Sequence, residues 1–293
     1  MSHTNEEIAS QPDCWRRALD IAATAPEALP LRGERVAVIG CGTSYYMAQS
    51  YAALREAAGQ GETDAWPASE LPGVRRRYDR VLALCRSGTT TEVLEALARV
   101  PAGTVTSVIT ATPGTPVYQT ANHVLLLDFA DEVSVVQTRF PTTQLVLLRA
   151  ALGEDVSGLP ALAEQALTEE LPEGVLRARQ ITFLGTGWST GIAHEAALKF
   201  RETSRGWTES YSAMEYRHGP VSIADHDTAV WVFGPAPEGL ADQVLATGAT
   251  LVLSTVDPIV DLIRAQRVAV RVAVAQGVNP DRPRGVTRSI ILT

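Results

Sequence analysis

Short runs that are apolar at nearly every position recur between residues 35 and 272, most followed by a segment with helical spacing. An apolar run that does not alternate suits a strand covered on both faces. A helix after each strand allows the next strand to run parallel to it. The chain is therefore expected to be α/β, built of doubly wound parallel sheets. The spacing predicts strands at 35–40, 80–85, 104–110, 123–127, 180–184, 228–233, 249–253 and 268–272. It predicts helices at 45–58, 90–100, 141–152, 161–170, 191–204, 238–247 and 257–267.

The pattern repeats. VAVIGCGTS at 36–44 and ITFLGTGWS at 181–189 both read as strand, Gly-x-Gly-x-Ser, then helix, 145 residues apart. LALCRSGTTTEVLEAL at 82–97 matches VWVFGPAPEGLADQVL at 230–245. Two matched pairs at nearly one offset favour an internal duplication over chance likeness of strand–helix turns. The polar stretch at 153–160 then separates two expected domains, 1–155 and 156–293. The copies differ after the second strand of each. The first has Arg86-Ser87-Gly88-Thr89-Thr90-Thr91, and the second has Gly234-Pro235-Ala236-Pro237-Glu238-Gly239, without a hydroxyl.

Composition excludes several classes. The net charge is −8, and the longest basic cluster is Arg75-Arg76-Arg77, so nucleic-acid binding is not expected. No stretch reaches the ~18 apolar residues of a membrane span. Residues 1–13 are polar and do not read as a signal peptide. The three cysteines, Cys14, Cys41 and Cys85, form no Cys-x-x-Cys and read as reduced thiols of a cytoplasmic protein. No cofactor is implied, because no metal-ligand cluster appears in the sequence.

The loop at 86–91 leads from a strand's carboxyl end into a helix amino end, where unpaired N–H groups and the helix dipole attract an anion. Gly88 permits close backbone approach, and Ser87, Thr89, Thr90 and Thr91 add hydroxyl donors. No Gly-Lys-[Ser/Thr] follows, and Gly40-Cys41-Gly42-Thr43-Ser44 is not Gly-x-Gly-x-x-Gly. A nucleotide-free phosphate, as on a small phosphorylated metabolite, fits this loop. The competing explanation is a capping box between Thr89 and Glu92. In the second half Glu195, Lys199 and Glu202 stand at i, i+4 and i+7 and share one helix face. Such spacing ordinarily makes an exposed ion-pair ladder. The alternative is proton transfer by a positioned carboxylate.

CGTS at 41–44, RSGTTTEV at 86–93, EAALKFRETSRGWTESYSAMEYRHGP at 195–220 and NPDRPRGVTRSIILT at 279–293 resemble the SIS (sugar isomerase) domain family. The likeness is to its tandem-domain phosphosugar isomerases, which include the isomerase half of glucosamine-6-phosphate synthase, amino-sugar phosphate isomerase/deaminases and deglycases. The resemblance implies an enzyme of carbohydrate-derivative metabolism acting on a sugar 6-phosphate, an amino sugar or an amine adduct of fructose. It implies aldose–ketose isomerisation, with deamination or deglycation as possible companions. The alternative is a phosphosugar-binding regulator without turnover.

By the same resemblance the phosphate and sugar contacts fall on Thr43, Ser44, Arg86, Ser87, Thr89 and Thr90, with Val135 and Gln137 in a loop that meets the sugar. Glu202 matches the proton-shuttling glutamate, with Glu195 and Lys199 near the sugar. His218 matches a ring-opening histidine contributed by the partner of a homodimer. Two departures stand out. Cys85 replaces a serine hydroxyl and reads better as a small buried hydrophobe. Arg288 replaces a tail lysine and cannot form an imine, though it can bind an oxyanion. About 35 residues precede the first strand, too few for a glutaminase domain.

Overall fold

In the computed structural model, which describes residues 2–292 except Ala23, Pro26 and 73–75, strands and helices alternate along the chain. Arg75 of the basic cluster therefore lies outside the described residues. In chain order the elements are α1 (His3–Ala9), α2 (Gln11–Ala22), β1 (Val36–Gly40), α3 (Thr43–Ala57), β2 (Thr63–Pro67), β3 (Arg80–Leu84) and α4 (Thr91–Ala98). Then follow β4 (Val105–Thr110), α5 (Val117–Thr120), β5 (His123–Leu126), α6 (Arg139–Ala151), α7 (Leu159–Ala166) and α8 (Glu173–Arg177). The rest are β6 (Gln180–Gly185), α9 (Ser189–Ser204), β7 (Trp207–Ser212), β8 (Thr228–Phe233), α10 (Leu240–Leu245), β9 (Thr250–Leu253) and α11 (Pro258–Ala275).

Contacts group the residues into two compact units. One comprises 10–133, 137–160 and 287–293, and the other 1–9, 134–136 and 161–286. The first holds a five-stranded sheet in the order β2-β1-β3-β4-β5, and the second a four-stranded sheet in the order β7-β6-β8-β9. Every pairing is parallel. The fold class is thus α/β with two parallel sheets. Strands β1, β3, β6 and β8 lie inside their sheets and are buried at every position, which is why they are apolar without alternation.

The core of the five-stranded unit packs Ala37, Ile39, Ala83, Cys85 and Val108 against Val93, Ala96 and Leu97 of α4. Cys85 is one of these buried apolar groups, and the cysteines are free thiols. Burial pushes the Cys41 thiol up to about 12, so it stays protonated and unreactive. Arg55 is fully buried and bonds the carbonyls of Leu31, Glu34, Gln60 and Gly61 and the Thr63 hydroxyl, fixing the entry to β2.

Two differences from the expected elements have physical causes. Residues 268–272 are not a strand but part of α11, which runs on to Ala275. The β-branched run there has strand propensity, but Val268, Ala269, Val270 and Ala273 are buried as one side of a helix. Asp257 caps that helix by accepting from the Ile259 N–H at 3.0 Å. Strands β2 and β7 carry no apolar run because both are sheet edges and only half covered.

Candidate functional site

The residues expected to act fall into two clusters, one in each unit. In the five-stranded unit, Thr43 and Ser44 are buried at the start of α3. The turn before them requires glycine twice. A Cβ on Gly40 would lie 2.7 Å from Ser44, and Gly42 has φ 55°. After β3, Gly88 has φ 64°, and a Cβ there would lie 2.0 Å from the Thr115 hydroxyl.

The hydroxyls of this loop do not cap α4. Its N-cap is Thr90, which makes no side-chain capping bond, so the Thr89–Glu92 capping box does not form. Instead Ser87 Oγ lies 3.3 Å from Thr90 Oγ1 and accepts from the Thr89 N–H at 3.2 Å. A fourth hydroxyl, Ser289 of the tail, joins them: it accepts from Ser87 at 3.2 Å and Thr89 at 2.9 Å and lies 3.4 Å from Thr90. Sequence reasoning did not assign Ser289, because nothing local links residue 289 to residue 87.

Arg86 is buried beside the loop, 3.4 Å from Glu132, and the exposures of the two side chains are 2% and 0%. Burial pulls the Arg86 guanidinium below its ordinary range, against the raising pull of Glu132. The other Glu132 oxygen accepts from the Thr138 hydroxyl at 3.1 Å and the Arg139 N–H at 2.8 Å. Arg288 grips Asp131 and the Glu132 carbonyl. Gln137 presents a buried Oε1 without a hydrogen-bond partner among the described residues. A cavity of about 990 Å³ opens in this unit at the start of β3, lined by Leu71, Tyr78, Val81 and Arg99, and contains none of these groups.

The four-stranded unit holds the charged set. Its first turn repeats the geometry of the other: a Cβ on Gly185 would lie 2.2 Å from the Ser189 carbonyl oxygen, and Gly187 has φ 58°. On α9, Lys199 lies 3.4 Å from Glu195 and 2.5 Å from Glu202. The exposures of Glu195, Lys199 and Glu202 are 0%, 1% and 19%, so this is not a solvated ion-pair ladder. Burying an ammonium between two carboxylates is costly and is a weak way to gain stability, which points to use.

Glu202 lies near the far end of α9, about 20 Å along the helix from Ser189. The glycine turn therefore does not position it, because a helix leaving a strand's carboxyl end runs back along the sheet. His218 is exposed, at the end of a short helical turn before Gly219, whose φ is 134°. Val135 belongs to this unit, its N–H donating to the Asp281 carbonyl at 3.0 Å. Its neighbour Ser134 is held by Glu7, which accepts from the Ser134 N–H at 3.1 Å and also from its hydroxyl. Among the described residues no group of His, Cys, Asp and Glu is arranged to hold a metal, and no helix is long and apolar enough to cross a membrane.

Two parallel sheets, a hydroxyl loop and a buried Glu–Lys–Glu set define a class, and comparison with known proteins names it. The SIS domain model matches residues 175–266, and that part of the chain is an SIS domain. Over 97% of its length the chain is 26% identical to glutamine–fructose-6-phosphate aminotransferase [isomerizing] of Bradyrhizobium diazoefficiens. It is also 26% identical over 98% of its length to the Escherichia coli K12 protein of that name. The chain spans 58% of the length of these curated relatives.

Solved structures share the fold. Glucosamine-6-phosphate deaminase from Thermotoga maritima superimposes with a TM-score of 0.81 at 23% identity, covering 99% of this chain and 100% of that one. The C-terminal domain of glucosamine-fructose-6-phosphate aminotransferase from Francisella tularensis gives 0.82 at 22%, covering 97% and 98%.

Proposed function

We propose that the chain interconverts the aldose and ketose forms of a sugar 6-phosphate. The observation that carries this reading is Lys199, buried and paired with both Glu195 and Glu202 within an SIS domain. The names of the relatives, an isomerizing aminotransferase and a deaminase, support the same class. In this reading Ser87, Thr89 and Thr90 bind the phosphate, with Thr43, Ser44 and Arg86 beside them. Glu202 takes the proton from C1 of the open-chain ketose, leaving an enediolate, and returns it to C2. Lys199 holds Glu202 in place and Glu195 balances the ammonium. Arg288 meets an oxyanion of the substrate, Val135 and Gln137 lie along the sugar, and His218 opens the ring from the partner subunit of a homodimer.

The finer substrate in this reading is an amino sugar or a fructose–amine adduct, and the companion reaction to isomerisation is deamination or deglycation, in which water adds as the C–N bond breaks and ammonia or the amine leaves. We assign residues 1–155 and 156–293 to two copies of one ancestral domain and place the protein in the cytoplasm. The shared Gly-x-Gly-x-Ser turn and the corresponding strand orders support the duplication.

The test is hydrogen exchange at carbon. Hexose 6-phosphates and their amine conjugates, incubated with the protein in D2O, should acquire deuterium at C1 or C2 by NMR. Tight binding without any exchange would favour a phosphosugar-binding regulator and remove the catalytic assignment.

A further inference from the structure

Several donors of the hydroxyl loop face one segment of the protein itself. Ser289 Oγ accepts from Ser87 and Thr89 and stands within 3.4 Å of Thr90. The Thr91 N–H, at the start of α4, donates to the Ile290 carbonyl at 3.1 Å. Arg86 Nη2 donates to the Arg288 carbonyl at 3.1 Å. An oxygen on which several hydroxyls converge, beside a helix N–H and a guanidinium, occupies the position that a phosphate oxygen would take.

We propose that residues 289–292 are an internal ligand of the hydroxyl loop, which a phosphorylated ligand must displace in order to bind, while Arg288 stays in place. The inference rests on the phosphosugar reading above and adds a competitor to it. The segment is held by polar contacts. Leu292 donates its N–H to Thr91 Oγ1 at 2.9 Å, and Arg288, just before the segment, grips Asp131 and the Glu132 carbonyl. Its apolar side chains add little, since Ile290, Ile291 and Leu292 are 44%, 63% and 63% exposed. Neutral hydroxyl bonds are about half as strong as charge-assisted ones, so a phosphate dianion can replace them. The apparent dissociation constant is then the intrinsic one divided by the fraction of molecules with the segment released.

Isothermal titration with glucitol 6-phosphate tests this. Ser289→Ala removes the central acceptor and should tighten binding about three- to tenfold. Ser289→Asp places a carboxylate among the hydroxyls and should weaken binding by at least about tenfold. In the unaltered protein, ligand should speed amide exchange at Leu292. If the unaltered protein binds but Ser289→Ala binds equally or less well, or if ligand slows exchange at Leu292, the competition is refuted and the phosphosugar reading stands. If neither protein binds glucitol 6-phosphate or any other hexose 6-phosphate, the phosphosugar reading fails and takes this inference with it.

Discussion

The turns Gly40–Ser44 and Gly185–Ser189 are built alike, each with a first glycine under the helix that follows and a second at positive φ. Their surroundings differ. In the four-stranded unit the Ser189 hydroxyl is engaged by its own scaffold: it accepts from the Thr186 N–H at 2.8 Å and lies 2.9 Å from the Phe233 carbonyl. The loop after β8 has no hydroxyl at all. In the five-stranded unit the loop after β3 gathers Ser87, Thr89 and Thr90. Conversely, the charge set stands on α9, and at the 145-residue offset of the two turns the matching helix α3 carries Ser50, Leu54 and Ala57. The two units thus share a turn but differ in the side chains around it, hydroxyls in one and a partly buried charge set in the other.

Four experiments would break or sharpen that contrast. The largest effect is expected at Glu202. Glu202→Gln should lower turnover about 10²- to 10⁴-fold with sugar-phosphate affinity kept, as read from kcat and from titration. Unchanged turnover would remove the catalytic side of the comparison. Lys199→Met should leave Glu195 buried without its ammonium and cost about 3–5 kcal/mol in denaturant unfolding. A loss near zero would mean that the set is solvated in solution. Removing both Ser87 and Thr90 hydroxyls by alanine should weaken phosphorylated sugars about 10- to 100-fold, at roughly 1.5 kcal/mol or less per bond, and spare unphosphorylated ones. An equal loss for both would make the loop a scaffold element like its counterpart after β8.

The smallest effect is a pH dependence confined to the four-stranded unit. Asp261 is fully buried, accepts from Trp231 Nε1 at 2.7 Å, and pairs with Arg264 at 2.8 Å. Burial raises its carboxyl above the ordinary range, against the lowering pull of Trp231 and Arg264. The folded chain therefore holds this proton at pH values where the unfolded chain has released it. Stability should fall as pH rises from about 4 through the folded-state value. Asp261→Asn should flatten this segment of the profile, and a profile identical in both proteins would contradict the raised value.

Most of the framework was legible in the sequence. The apolar runs of β1, β3, β6 and β8 are interior strands, and these advertise themselves by being largely apolar without alternation. The edge strands β2 and β7 gave no such signal, since TDAWP and WTESYS are largely polar. At 268–272 local propensity pointed the wrong way, and helix packing overruled it. Of the candidate groups, the hydroxyl loop and the i, i+4, i+7 set were visible as patterns, while Ser289, Asp131 and Glu7 were not.

The sequence by itself determined the α/β class, the strand–glycine–helix turns and the side chains available for anion binding and proton transfer, because these depend on local periodicity and residue chemistry. Tertiary structure alone decided that Lys199 and Glu195 are buried rather than solvated. It also decided that the loop hydroxyls meet Ser289 rather than cap α4. Burial and contacts between residues some 200 positions apart depend on how the chain closes on itself, and no local spacing encodes that closure.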